Sequence, residues 1–407
     1  MTTPPARGSR WRSVRYTAAG LASLLVLGAT GYAWTQLSRL DRDLATADVI
    51  APSAQLPTGR ESLAAAQNIL LVGLDSRTDG QGNPLPQSLL DQLHAGDSGD
   101  GGDTADTMIV VHIPAGGGSA TAISIPRDSY VQIADGYGKH KINSAYTYGK
   151  NAALTALSTQ GVTGAELDRE AAAAGARTAI ETVEDFTGLA INHYAAVNLA
   201  GFYELSNAVG GVPVCLKAPV HDSYSGADLP AGEQTLSGAQ ALAFVRQRHG
   251  LPNGDLDRIA RQQAFLAGMA QVVLGSGTLT DPGRLAGLVS AVSRSVVIDQ
   301  GWDVLTFAEQ MHNLSSSSLT FATIPVQSLS LQTPGDGDAV EVDPVQVRDF
   351  MDALLGDSGG HSSASSTTSS TPTTVARAAA ETAGAATTTP SPTVPESAST
   401  DLSGCVN

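Results

Sequence analysis

The chain has 407 residues, with 23 Lys or Arg against 39 Asp or Glu and a net charge of −16. That balance excludes general nucleic-acid binding, because phosphate backbones demand a basic surface. Two cysteines, Cys215 and Cys405, are too few for a disulfide scaffold or a structural zinc site; in an oxidising compartment they either form one bridge or stay as two thiols.

Arg7, Arg10, Arg12 and Arg15 precede an uncharged run over residues 16–38. A bilayer core takes about 20 predominantly apolar residues as a helix, so this run predicts a transmembrane anchor. The arginines place residues 1–15 in the cytoplasm and the rest of the chain outside the cell, and Tyr16, Tyr32 and Trp34 suit the two interfaces. A cleaved signal peptide is the alternative reading. No small-x-small site stands clearly beyond the run, so a retained, single-pass anchor in the cell membrane is expected. Residues 39–66 read as a polar, Pro-punctuated stalk.

Ordered patterning begins at Asn68. Residues 68–74 form a short apolar run of the buried-strand kind. The Gly-, Asp- and Pro-rich stretch 79–103 reads as a long surface loop. Residues 107–113 and 122–125 predict two further strands, joined by a hairpin turn over 115–119. An alanine-rich segment, 166–186, has helical spacing, with Gly188 just past its end. Strands are expected at 195–198 and 212–216 with a helix at 199–208 between them. Helices follow at 237–244, 258–274, 282–296, 302–314 and 344–355, with a late strand at 319–325. Helices interleaved with apolar strands predict an α/β fold, an α-β-α sandwich around a mixed central sheet. From 357 to 407 Ser, Thr, Ala and Pro dominate, which predicts a disordered tail; its last residues, 403–407, are less repetitive and have a route back to the domain through Cys405.

Charge gathers in four islands beside the strands: 73–77 (GLDSR), 103–106 (DTAD), 125–130 (IPRDSY), and the stretch from Arg246 and Arg248 through Asp257 and Arg258 to Gln263. Arg246 and Arg248 share a side if the backbone is extended, and Arg258 and Gln262 share a helix face. Guanidinium groups aimed at one place repel unless an anion lies between them, and arginine suits bidentate phosphate recognition. Ion pairs with Asp255 and Asp257 are the simpler reading, and the spacing leaves both open. Asp75 and Asp106 suit a hard divalent cation, which takes one or two carboxylates plus phosphate oxygens. They equally suit ordinary turn and cap chemistry. Arg127 with Asp128, and the loop charges Lys139, His140 and Lys141, have similar plain readings.

Read together and in order, these segments resemble the LytR–CpsA–Psr family of cell-wall enzymes. The matching text is 68–77 (NILLVGLDSR), 105–113 (ADTMIVVHI), 124–131 (SIPRDSYV), 137–143 (YGKHKIN), 198–202 (NLAGF), 209–212 (VGGV), 238–249 (GAQALAFVRQRH) and 257–263 (DRIARQQ). The motif core spans 67–275 and the implied extracellular catalytic domain 67–356. The resemblance implies a phosphotransferase that moves a glycopolymer phosphate from a polyprenyl-diphosphate carrier to peptidoglycan, at the muramic acid 6-hydroxyl, and releases polyprenyl phosphate. It implies magnesium, or manganese in its place, on Asp75 and Asp106. It assigns the diphosphate to Arg127, Arg246, Arg248, Arg258 and Gln262, with Arg77 and Lys141 as companions. Asp75, Arg127, Arg246 and Arg248 are then the catalytic set, and Asp75 or Asp128 takes the acceptor proton. A groove for the prenyl chain is implied, with a lining that sequence does not reveal. A pyrophosphatase acting on the same carrier, and a non-catalytic lipid-binding regulator, are the alternatives. Two departures stand out. Some relatives carry a second cysteine where this chain has Glu233, which leaves Cys405 as the partner available to Cys215. Some also carry a folded C-terminal domain where this chain has its Ser/Thr-rich tail.

Overall fold

The computed structural model describes residues 44–56, 65–97, 103–275, 282–303, 307, 319–356 and 404–407. The expected cytoplasmic segment, the transmembrane anchor, residues 39–43 and 57–64 of the stalk, the tail over 357–403 and nearly all of the helix at 302–314 lie outside the described residues. Among the described residues, no helix is long and apolar enough to cross a membrane.

The chain opens with β1 (Ala45–Ala47) and β2 (Gln67–Leu74), then a short helix α1 (Gln87–Gln92). Strands β3 (Ala105–Ile113) and β4 (Ala120–Ile125) form the expected hairpin. A small hairpin of β5 (Tyr130–Ile133) and β6 (Gly138–Lys141) leads into two long helices, α2 (Ser144–Thr159) and α3 (Gly164–Thr187). Next come β7 (His193–Val197), α4 (Leu199–Ala208), β8 (Val212–Leu216), β9 (Val220–Asp222), β10 (Ala227–Leu229) and β11 (Gly232–Leu236). Helices α5 (Gly238–Arg246), α6 (Asp255–Leu274) and α7 (Pro282–Ser295) precede β12 (Val296–Asp299) and β13 (Leu319–Thr323). A hairpin of β14 (Ser328–Thr333) and β15 (Gly337–Glu341) and helix α8 (Pro344–Gly356) complete the domain.

Seven strands form the central sheet in the order β1-β12-β7-β2-β3-β4-β13. The sheet is mixed: β2 is parallel to β7 and antiparallel to β3, and β4 is antiparallel to β3. Alternation along each strand sends side chains to two apolar faces. Leu70, Val72, Met108, Val110, Ile123 and Ala196 share one core with residues of α2, α3 and α8. Ile109 and Ala122, on the other face, pack against Leu266 and Ala267 of α6. Three layers result, the sandwich that alternating helices and strands predict. Between α2 and α3 the backbones come close enough that a Cβ on Gly175 would lie 2.6 Å from the Tyr146 carbonyl oxygen. Gly188 ends α3 with φ of 77°, a conformation that favours glycine.

Three expectations need correction. The stalk expected over 39–66 contains β1, which joins the central sheet beside β12, and Val49 and Ile50 after it are buried in the core because their apolar side chains pack under the sheet. The loop expected over 79–103 contains α1, because Leu85, Leu90 and Leu93 pack into the core shared by α4, α5 and β8. The helix expected from Arg258 starts three residues earlier, at Asp255, with Asp255 and Asp257 in its first turn, where the helix dipole favours acidic groups.

Candidate active site

Strand direction brings the charged islands to one edge of the sheet. Because β2, β4 and β7 run the same way and β3 runs against them, the ends of the first three and the start of β3 coincide. Asp75 follows β2, Arg127 follows β4, Asn198 follows β7 and Asp106 lies at the start of β3. The β2–β3 register shifts between Gly73 and Leu74, which pair with Thr107 and Ala105 and leave Asp106 as the extra residue. Such a bulge re-aims a side chain, here the carboxylate that meets Arg127. Helix α5 delivers Arg246 at its last residue, and the first turns of α6 deliver Asp255, Arg258 and Gln262. Arg246 therefore does not sit on the extended backbone assumed for its pairing with Arg248. The helix ends there, and Gln247, with ψ of 133°, turns the chain so that Arg248 is exposed.

Arg127 Nη1 donates to Asp106 Oδ1 at 2.7 Å, and its Nε lies 3.7 Å from Asp128 and 3.8 Å from Asp255. Arg258 Nη2 approaches Asp255 Oδ1 at 2.6 Å as an ion pair without hydrogen-bond alignment. Lys141 Nζ lies 3.4 Å from Asp128, and Arg246 Nη2 lies 4.0 Å from Asp75. Arg77 is spent locally: its guanidinium donates to the Asp75 and Ala95 carbonyls and pairs with the Asp75 carboxylate at 3.1 Å. It braces the loop that carries Asp75.

Burial opposes the charge on Asp106, but Arg127 and Arg258 outweigh it and hold the carboxyl below its ordinary value. Burial also opposes the charge on Arg127, and Asp106, Asp128 and Asp255 more than restore it. Asp255 is raised by burial despite Arg258 and Arg127. Arg258, 3% exposed, is pushed down to about 10 by burial, with Asp255 working against that fall. Among the described residues, Asp75 Oδ1, Arg127 Nε, both Asp255 carboxylate oxygens and Arg258 Nε are buried without a hydrogen-bond partner. Buried polar atoms are normally paired. Two of these atoms are guanidinium donors, which an anion would satisfy, and three are carboxylate oxygens, which a cation would satisfy.

A cavity of about 190 Å³ opens from this edge. Its floor is one face of the sheet, with Leu71, Ile109, Ala195 and Val197, and its roof comes from Phe202, Leu242, Phe265 and Leu266. Asp75, Asp106, Arg246, Arg258 and Gln262 stand at the polar end. The structure thus brings five of the site residues read from sequence to the cavity and sets Arg127 behind them on Asp106. Arg77 and Lys141 stand back from it, and Arg248 lies in electrostatic range of Asp255 and Arg258. Sequence reasoning gave Asp255 no role beyond an ion pair, whereas it sits between both buried arginines. Its signal was the i,i+3 spacing to Arg258.

The far side of the arginine segment is clamped. Arg261 is buried over the Phe244 ring, and it donates to Gln247 Oε1 and to the Asn407 carbonyl oxygen. Asn407 Nδ2 reaches Asp257 at 3.3 Å. A Cys215–Cys405 disulfide holds this terminal segment, and Val406 pairs with Leu216 as a parallel bridge. Glu233 lies directly opposite Cys215 in the β8–β11 register, so Cys405 supplies the sulfur from outside that pair.

Arginines thus stand at the mouth of an apolar cavity, on the strand-end edge of a three-layer α/β domain, an arrangement with the polarity of an amphiphilic anion. The chain belongs to the LytR_cpsA_psr family, which matches residues 44–347. It is 45% identical over 346 residues to the cell wall biosynthesis protein LcpA of Corynebacterium glutamicum, covering 83% of this chain and 64% of that protein. It is 34% identical over 237 residues to the polyisoprenyl-teichoic acid–peptidoglycan teichoic acid transferase TagU of Enterococcus faecalis, covering 58% of this chain and 62% of that one. The match thus spans under two thirds of each relative's length. The crystal structure of TagV from B. subtilis shares the fold, with a TM-score of 0.52, 23% identity, and coverage of 72% of this chain and 98% of that one.

Proposed function

We propose that this protein transfers a glycopolymer phosphate from a polyprenyl-diphosphate carrier to a peptidoglycan hydroxyl and releases polyprenyl phosphate. The observation that carries this reading is the join between the apolar cavity and the arginine edge, which matches a lipid chain ending in a diphosphate. The name of the Enterococcus relative, a transferase between these two classes of molecule, supports it. Arg127, Arg246 and Arg258 neutralise the diphosphate and the charge that grows on the leaving phosphate, and Gln262 adds a neutral donor. Arg248 approaches from solvent. Arg77 keeps Asp75 in place. The acceptor oxygen bonds to the glycan-bearing phosphorus, the bond from that phosphorus to polyprenyl phosphate breaks, and the hydroxyl proton ends on the released polyprenyl phosphate.

Asp75 and Asp106 fit a magnesium or manganese ion. Asp75 Oδ1 is buried without a hydrogen-bond partner at the cavity mouth, with Arg246 at 4.0 Å, and a hard cation needs only one or two carboxylates when phosphate oxygens complete its shell. When bound, such an ion supplies charge neutralisation at the diphosphate. The uncharged run at 16–38 and its preceding arginines support an outward-facing domain anchored in the cell membrane. Protease treatment of intact spheroplasts should then cleave the domain and spare residues 1–15.

The purified chain, given a synthetic polyprenyl-diphosphate saccharide and peptidoglycan, should yield a phosphodiester-linked glycan. Release of free glycan phosphate alone would instead establish a pyrophosphatase. Undiminished wall-polymer attachment in cells carrying Arg246→Ala or Arg248→Ala would point to a non-catalytic lipid-binding protein.

A further inference from the structure

A second cavity, of about 520 Å³, lies on the opposite face of the same sheet. Strand alternation separates the two: Ala195 and Val197 line the apolar cavity, while Tyr194 and Ala196 line this one. They meet at the catalytic edge, where Leu74 and Asn198 border both. The loop that follows Asp75 forms the near rim of the second cavity and is fixed in place. Asn198 Nδ2 donates to the Thr78 carbonyl at 2.5 Å, and Thr78 Oγ1 donates to Asp168 at 3.1 Å. Small side chains of α3, among them the half-buried Ala172 and Ala173, keep the far wall open.

The chemistry of this lining is the reverse of the arginine edge. It carries five carboxylates against three cations, and Glu166 and Glu170 at the rim are exposed. Such a surface disfavours a diphosphate and offers acceptors to a ligand rich in hydroxyl groups. In-line displacement adds a direction. The entering oxygen must arrive opposite the leaving oxygen, and the leaving polyprenyl phosphate points its chain into the cavity on the first face. The nucleophile therefore comes from the side of the second face.

We infer that the cavity between α3 and the sheet is the acceptor subsite, taking an uncharged, hydroxyl-rich stretch of the acceptor glycan. This rests on the transfer reaction proposed above. The step it serves forms the acceptor O–P bond and breaks the P–O bond to polyprenyl phosphate, which departs with the electron pair and ends with the proton.

Two variants of the full chain test it: Ala173→Trp, which fills the cavity, and the double variant Glu166→Gln with Glu170→Gln, which alters only the rim. Both are assayed with a polyprenyl-diphosphate saccharide as donor and, as acceptor, peptide-free peptidoglycan glycan whose muramic acid carboxyls are blocked as amides, so that the acceptor carries no charge. Acceptor KM should rise roughly 10-fold or more in Ala173→Trp and roughly 3-fold in the rim variant. Donor binding, measured directly without acceptor, should stay at the wild-type value in both. Unchanged acceptor KM in a rim variant that melts like wild type overturns the assignment, as does an equal loss of donor binding. If Ala173→Trp does not fold, the rim variant decides alone. Wild-type chain that releases only free glycan phosphate removes the transfer reading itself, a failure distinct from normal transfer with unaltered acceptor KM in the variants.

Discussion

Two buried charge clusters flank the end of β2, and they are finished differently. On one face Lys150 holds Asp103 at 2.8 Å and Asp168 at 2.6 Å, and Asp168 also takes the Thr78 hydroxyl. Burial opposes the lysine charge, but Asp103 and Asp168 raise its pKa overall. Among the described residues, none of its atoms is buried without a partner. At the edge, Arg127 and Arg258 share Asp106 and Asp255, yet several of their atoms have no hydrogen-bond partner. The ingredients match, and the degree of saturation differs. A saturated buried cluster holds a fold together, while an unsaturated one keeps its electrostatic strain for a ligand to relieve.

Substitutions should separate the two. Arg258→Ala is expected to lower kcat/KM for transfer by roughly 10²–10³-fold, the scale of removing one charged donor from a developing oxyanion; a loss below 10-fold would place Arg258 outside the reacting centre. Lys150→Met should act on folding instead. It strands two carboxylates and should cost about 3 kcal/mol in denaturant unfolding, the low end for a broken buried pair because both carboxylates keep some exposure. Donor binding by the folded fraction should be untouched. Arg77→Lys should give a smaller, positioning effect, with donor KM up roughly 5-fold and melting nearly unchanged, because lysine cannot serve Ala95 and Asp75 together.

The smallest effect should appear in stability against pH, where the signs are opposite. Asp106, held below its ordinary value of 3.8, contributes stability above that pH and loses it as pH falls through the lower folded value. Lys150, held above its ordinary value of 10.5, contributes below that pH and loses it as pH rises through the higher folded value. Asp106→Asn should flatten the acid limb only, and Lys150→Met the alkaline limb only. A shared response would dissolve the distinction between the clusters.

Much of the sheet was legible because its strands are short apolar runs bounded by turn residues, as at 68–74 and 212–216, and because α4 matches its expected span, 199–208. The β5–β6 and β14–β15 hairpins are hard to read because β5 is only four residues long and β6, β14 and β15 are largely polar, so periodicity has little to report. Helix α1 hid in a stretch rich in breakers, and its apolar residues acquire meaning only against α4 and α5. At the site, residue type and chain order pointed to Asp75, Asp106 and the arginines. Their sorting did not follow: nothing in the 73–77 segment says that Arg77 is consumed by the Ala95 carbonyl while Arg246 stays at the cavity mouth.

By itself the sequence determined the chemistry available: an acidic chain with a few concentrated arginines, strands able to build an α/β sandwich, and ordered motifs that identify a family. Those follow from local composition and spacing. Tertiary structure decided which charges are saturated and which are left open, that Cys215 bridges Cys405, and that two cavities meet across one strand edge. These depend on strand direction, a one-residue bulge and contacts between residues far apart in the chain, 190 positions for the disulfide and more for the pairing of Ala45 with Val297, none of which a linear pattern encodes.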